Sequence, residues 1–241
     1  MKHTNIASQL RRTLLFAFLC VPSAVSWAGG KADPLLTSVY IDQLEVRDAE
    51  GDNPAVLEAQ AWAGYDLDKL WLKVEAEHAD GETGELELQA LYSRAISRYW
   101  NFQAGLRHDF EPSPTRDWAV LGLQGLAPYF FEVDASLFIG ESGQTGLRFE
   151  AEYELLFTQK LILSPEVEFN LYGRNDPDTG VGSGLSDLEL GLRLRYEIRR
   201  EIAPYIGINW EKKFGNSADF ARDAGAHLED TSLVAGIRVW F

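Results

Sequence analysis

Apolar and polar residues alternate along most of this chain with the period of two that an extended strand imposes on its two faces. The clearest case is Leu147, Phe149, Ala151, Tyr153 and Leu155 against Arg148, Glu150, Glu152 and Glu154. The last stretch, Asp230 to Phe241, does the same. Thr231, Leu233, Ala235, Ile237, Val239 and Phe241 oppose Ser232, Val234, Gly236, Arg238 and Trp240. Further strands of this kind are predicted at 57–65, 70–77, 85–92, 100–107, 117–126, 131–137, 163–171, 188–196 and 206–211. Leu36–Val46 reads as a first strand with poor alternation, so the total is twelve.

The connections alternate as well. Short turns are expected at 66–69, 97–98, 127–129, 158–160 and 199–201, and longer polar loops at 47–54, 109–116, 141–145, 173–185 and 214–229. An even number of strands with one apolar and one charged face predicts an all-β protein, a transmembrane antiparallel β-barrel of about twelve strands in an up-and-down meander. Short turns and both termini then lie on the periplasmic side. Tyr65, Trp100, Tyr129, Tyr153, Tyr196, Trp210 and Trp240 sit near strand ends, where an interfacial girdle is expected. A soluble β-sandwich is the competing fold.

The first residues add a compartment. Lys2, Arg11 and Arg12 precede an apolar run from Leu14 to Val21, and Ser26 and Ala28 are small. This predicts a cleaved signal peptide over 1–28, a short periplasmic segment over 29–35 and a barrel over 36–241. The localisation expected is the outer membrane of a Gram-negative bacterium. The formal net charge is −15, and it becomes −18 once the leader's three positive charges are gone. Such an acidic balance disfavours nucleic acid. The only Cys and the only Met, Cys20 and Met1, lie in the leader. The barrel therefore offers a metal no sulfur.

Several stretches resemble a known family. They are Glu58-Ala-Gln-Ala-Trp62-x-Gly64, Lys69-Leu-Trp-Leu-Lys73-x-Glu75-x-Glu77, Asp42-Gln-Leu-Glu45, Leu91-Tyr-Ser-Arg-Ala-Ile-Ser97, Gly125-Leu-Ala-Pro-Tyr-Phe-Phe-Glu132 and Thr158-Gln-Lys-Leu-Ile-Leu163. Over about residues 33 to 241 the chain is similar to the bacterial copper resistance protein B family. The resemblance implies a non-enzymatic outer-membrane barrel of copper tolerance. Copper would be its cofactor or cargo, and lipid, copper ions and periplasmic copper-handling proteins its partners. Family members often carry a Met/His-rich segment before the barrel. Here Gly29–Leu36 contains neither residue, so any metal is expected to meet the barrel itself.

The charged face supplies the candidate chemistry. If Glu77 pairs with Glu85, Glu75 faces Glu87, and four carboxylates gather near the outer mouth. A short turn at 158–160 likewise sets Glu152 opposite Glu166 and Glu150 opposite Glu168. Like charges directly opposite destabilise a sheet. They need arginines or a cation, and carboxylates are hard ligands that Cu²⁺ also accepts. Two readings stay open: a structural network with Arg148, Arg193 and Arg195, or a cation site. His78 and His108 end strands at the outer rim and complete the list of candidate ligands. Two other function classes remain: a passive channel for another small solute, and an outer-membrane hydrolase, for which His108 and Ser113 are the nearest residues in sequence.

Overall fold

The computed structural model describes residues 34–49, 53–79, 81–141 and 143–241; the expected leader and most of the segment after it lie outside these. Thirteen strand segments form one antiparallel sheet: β1 (Leu36–Asp48), β2 (Ala55–Gly64), β3 (Asp68–Ala79), β4 (Glu82–Ala95), β5 (Trp100–Glu111), β6 (Arg116–Leu126), β7 (Glu132–Gly140), β8 (Thr145–Glu152), β9 (Leu155–Leu156), β10 (Leu161–Tyr172), β11 (Gly184–Tyr196), β12 (Ile202–Lys213) and β13 (Glu229–Trp240). β8 and β9 are two parts of one barrel strand, both paired with β10. The eighth strand, expected to run unbroken to Leu155, is interrupted at Tyr153–Glu154. Twelve strand positions thus follow one another as a meander. The sheet closes because β13 pairs with β1, with Tyr40 opposite Trp240 and Glu45 opposite Gly236. Phe241 adds a last rung, donating its N–H to Val39 and accepting from Val39 N and Ser38 Oγ.

The alternation read from the sequence sets inside and outside. Leu70, Leu72, Leu106, Leu121, Leu190, Ile206 and Leu233 are exposed on the exterior. Arg107, Arg148, Arg193, Gln103 and Glu87 are buried inside. An apolar exterior round a polar interior is what a membrane strand requires, since lipid satisfies no backbone or charged group.

Two features depart from simple alternation. β1 carries a bulge: its register with β2 shifts between Ile41 and Gln43. An extra residue lets both Asp42 and Gln43 reach the interior, and parity flips beyond it. Asp42 accepts a hydrogen bond from Gln60, and Gln43 one from Arg193. The bulge is why alternation in this strand reads poorly, and it turns Glu45 and Arg47 inward.

The second departure lies in the expected loop 214–229, which contains a helix, α1 (Gly215–Ala224). Ser217, Ala218 and Ala221 form its buried face, and Gly225 ends it in the left-handed conformation that glycine tolerates. Ser217 Oγ accepts from Gly182 N at 2.7 Å and shares a hydrogen bond with Ser186 at 2.7 Å. The helix is thereby fixed over the long-loop, outer end of the barrel. The loop 173–183 is held there too, through Asp176, which Arg116 and Gln144 both contact.

Candidate functional site

The interior is organised by arginines. Glu87 accepts from Arg107 at 2.8 Å, Arg148 at 3.0 Å and Gln89 at 2.5 Å. Arg148 also reaches Glu75 at 2.6 Å and Glu168 at 3.5 Å. Arg107 bonds Asp109 at 2.6 Å, and its guanidinium lies over the Phe138 ring at 4.6 Å. That stacking orients the fork before it meets carboxylate. The second centre is Glu45, whose carboxylate accepts from Arg193, Arg47 and Tyr205 at 2.9–3.0 Å. Arg193 continues to Glu166 at 2.6 Å, and Arg47 to Glu189 at 2.9 Å.

The register lines up acids on neighbouring strands. Asp134, Glu150, Glu168, Glu189 and Glu211 stand opposite one another in sequence across β7, β8, β10, β11 and β12. Glu58, Glu75 and Glu87 do so across β2, β3 and β4. Strands lie about 4.8 Å apart, so each row is a band of like charge. Lys73 at 2.6 Å holds Asp134, while Glu150 and Glu211 make no ion pair with another described residue.

Two chambers flank this belt among the described residues, which alone are counted in their walls. The inner one, about 510 Å³, is lined by eight carboxylates and five cationic side chains. The outer one, about 570 Å³, has eleven carboxylates and six cationic side chains, with α1 over it. Glu58, Glu75 and Arg148 line both.

Glu77 pairs with Glu85 and Glu75 with Glu87. Carboxylate oxygens of Glu75, Glu85 and Glu87 lie within 4.8 Å of one another. Glu77 lines the outer chamber with Glu75 and Glu85, whereas Glu87 lies behind it and is already filled by three donors. The other four candidates sit in the expected rungs, Glu152 opposite Glu166 and Glu150 opposite Glu168. Here the arginines reach. Glu166 goes to Arg193 and Glu168 to Arg148, while Glu152 lies 3.6 Å from Arg238 and 4.0 Å from Arg195. Glu150 alone of the four is left without an ion pair among the described residues.

The histidines do not join these acids. His108 alternates with the inward Arg107 and Asp109, so it faces outward, with Nδ1 2.6 Å from Asp117 and its ring edge-on to Phe110. His78 Nδ1 lies 3.3 Å from the Thr83 hydroxyl at the exposed rim. Ser113 gives its hydroxyl to Glu111, and among the described residues no hydrogen bond joins it to His108. Sequence reasoning missed Gln43, Glu45, Arg47 and Asp109 as interior residues. For the first three the signal was the broken alternation itself, which marks a bulge.

A closed meander barrel with an apolar exterior and an ion-paired, acid-rich lumen defines a class, the outer-membrane β-barrels. Its solved likenesses are of that class. They include the NanC porin (TM-score 0.57, 13% identity, 85% of this chain and 99% of that one) and the KdgM porin (TM-score 0.53, 14% identity, 86% and 99%). At such identities the likeness concerns the fold. The family model described as Copper resistance protein B precursor (CopB) matches residues 35–241. A copper resistance protein B homolog of Pseudomonas syringae pv. tomato is 45% identical over 210 residues, which is 87% of this chain and 71% of that protein. Copper resistance protein B of Escherichia coli is 44% identical over 203 residues, 84% and 69%. The chain belongs to the copper resistance protein B family and is an outer-membrane barrel of copper resistance.

Proposed function

We propose that this barrel, exported on the leader 1–28, serves copper resistance by taking copper cations from the outer face into its acidic lumen. One observation carries the reading: in both chambers the carboxylates outnumber the cationic side chains. The surplus in the outer chamber includes Glu77 and Glu85, which lack ion pairs with described residues and lie near Glu75. An arriving divalent ion gains from each of them, and the ring of negative charge selects cations as acidic rings do in channels. Without sulfur in the barrel, Cu²⁺ rather than Cu⁺ suits these oxygen ligands. The outward His78 and His108 lie off this path. Glu152, Glu166 and Glu168 belong to the arginine network, and Glu150 stands outside it.

The test is titration of the refolded barrel with Cu²⁺ and, separately, Ca²⁺, together with ion selectivity in a planar bilayer. Cu²⁺ binding that weakens in the double variant Glu77→Gln, Glu85→Gln, with cation selectivity in the parent, is the expected result. An anion-selective conductance with no Cu²⁺ binding would instead make the barrel a channel for another small solute.

A further inference from the structure

The inner chamber contains the most direct sign of what sits in it. Glu58 and Glu150 line it and make no ion pair with another described residue. The nearby cation Lys73 is committed to Asp134 at 2.6 Å. Three polar side chains that line the same chamber each carry a buried atom with no hydrogen-bond partner among the described residues: Gln89 Oε1, Ser164 Oγ and Trp71 Nε1. Gln89 and Ser164 are each only 4% exposed. The amide orientation of Gln89 is fixed, because its Nε2 donates to Glu87 at 2.5 Å. Its Oε1 is therefore an acceptor that awaits a donor. Unpaired buried groups of this kind are costly and are normally satisfied by something.

The chemistry of these atoms narrows the ligand. The carboxylates call for positive charge. Gln89 Oε1 could meet either a cation or a hydrogen. Trp71 Nε1 is a donor only, and a bare cation offers it nothing; it needs a water. The chamber of about 510 Å³ also exceeds what a stripped ion fills. Six waters round a metal occupy roughly 180 Å³ at about 30 Å³ each, which leaves space for a second layer.

We infer that the inner chamber takes a divalent cation with its water shell intact. Metal-bound waters donate to Glu58, Glu150 and Gln89 Oε1, and a second-layer water accepts from Trp71 Nε1. Such a station rests on the copper reading and refines it, since the cargo passes as the hydrated Cu²⁺ ion. Holding the shell avoids the cost of stripping water. It also keeps the ion loosely bound, as a conducting site must.

Hexaamminecobalt(III) tests this, because its ammonia shell does not exchange and can only donate hydrogen bonds. Calorimetry of the refolded barrel with this complex alone should show binding that falls at least tenfold in the double variant Glu58→Gln, Glu150→Gln. Gln89→Leu should weaken it severalfold. Saturating complex should raise the apparent Kd for Cu²⁺ at least tenfold in any titration that follows the inner site. Heat-dependent gel mobility establishes that each variant has folded. No binding of the complex, or binding indifferent to Glu58 and Glu150, overturns the inference. So does a Cu²⁺ spectrum showing direct carboxylate ligation that the complex does not displace. Should Cu²⁺ fail to bind while the complex binds through Glu58 and Glu150, the hydrated-cation site stands and the copper reading fails.

Discussion

Glu45→Gln removes the charge at the centre of the lumen network, and the structure sets how much that should cost. The Glu45 side chain is wholly buried, and Arg193 and Arg47 beside it are nearly so. Its carboxylate accepts three bonds from these arginines and one from Tyr205. Removing one partner of a buried ion pair costs about 3–5 kcal/mol, because the other charge is left uncompensated. Here both arginines keep a second carboxylate, Glu166 for Arg193 and Glu189 for Arg47. That places the loss at the lower end, about 3 kcal/mol. The amide adds a penalty of its own, since its NH₂ meets arginine donors where an acceptor stood.

Urea unfolding of the refolded barrel in phospholipid, followed by tryptophan fluorescence, measures the loss. Glu58→Gln is the matched control. Glu58 makes no ion pair with another described residue and stands opposite Glu75, so neutralising it should leave stability unchanged or raise it. If Glu45→Gln unfolds within about 0.5 kcal/mol of the parent, the range of an ordinary surface change, the arginine network does not hold the barrel together. A large loss in Glu58→Gln would refute the division between tied and untied acids.

Leu190→Arg puts a charge on the exterior between Val167 and Trp210, and near mid-membrane it should cost about 2–4 kcal/mol; a neutral effect in the same unfolding assay would contradict the assignment of faces. Gly236→Ala brings a methyl within 2.6 Å of the Tyr205 ring and 2.7 Å of Glu45 Cβ at the closing seam. Overpacking of this sort costs about 1–3 kcal/mol, seen as slower refolding and an earlier midpoint; an unchanged midpoint would show that the seam has room for the methyl. Deleting Phe241 removes the last rung with Val39 and should lower the amount of protein reaching the outer membrane in a fractionation; an undiminished level would separate that rung from assembly.

Much of the fold was legible because a barrel wall has only two sides. Once Leu147 faces lipid, Arg148 must face the lumen, and a slip of one residue would reverse every assignment in the strand. The same constraint made the pairs Glu152–Glu166 and Glu150–Glu168 readable from the length of the 158–160 turn, and the conditional pairing of Glu77 with Glu85, and so of Glu75 with Glu87, is the register found. What the sequence concealed was non-local or irregular. The bulge at Ile41–Gln43 breaks the period in β1, so Glu45, the centre of one arginine cluster, could not be assigned a side. α1 escaped notice because its buried face is Ser217, Ala218 and Ala221, too small to make an apolar stripe; Gly225 and Arg222 at its end were the available signals. The acidic row from Asp134 to Glu211 spans five strands, and only its Glu150–Glu168 pair was read. Which acid each arginine chooses depends on reach across the lumen, as from Arg148 to Glu75, and no strand register encodes that.

Tied and untied carboxylates make opposite demands on one lumen, and their arrangement reconciles them. Two like charges about 5 Å apart repel by roughly 3 kcal/mol at an effective dielectric near 20, so a row of five ionised acids could not stand alone. Arg148, Arg47 and Lys73 interrupt the row at Glu168, Glu189 and Asp134. Were every acid so matched, the bore would be neutral and closed by its own salt bridges, with nothing left to draw a cation inward. Instead, among the described residues, Glu150 and Glu211 make no ion pair in that row, nor do Glu58, Glu77 and Glu85 in the wall formed by β2, β3 and β4. They lie along both chambers rather than in one patch. Glu150, Glu211 and Glu58 each stand beside a matched acid, which bounds the repulsion there, while Glu77 and Glu85 face each other. On the proposed function, a divalent ion moving through would meet a succession of weak sites instead of a single deep one, and that is the condition for passing an ion on rather than keeping it.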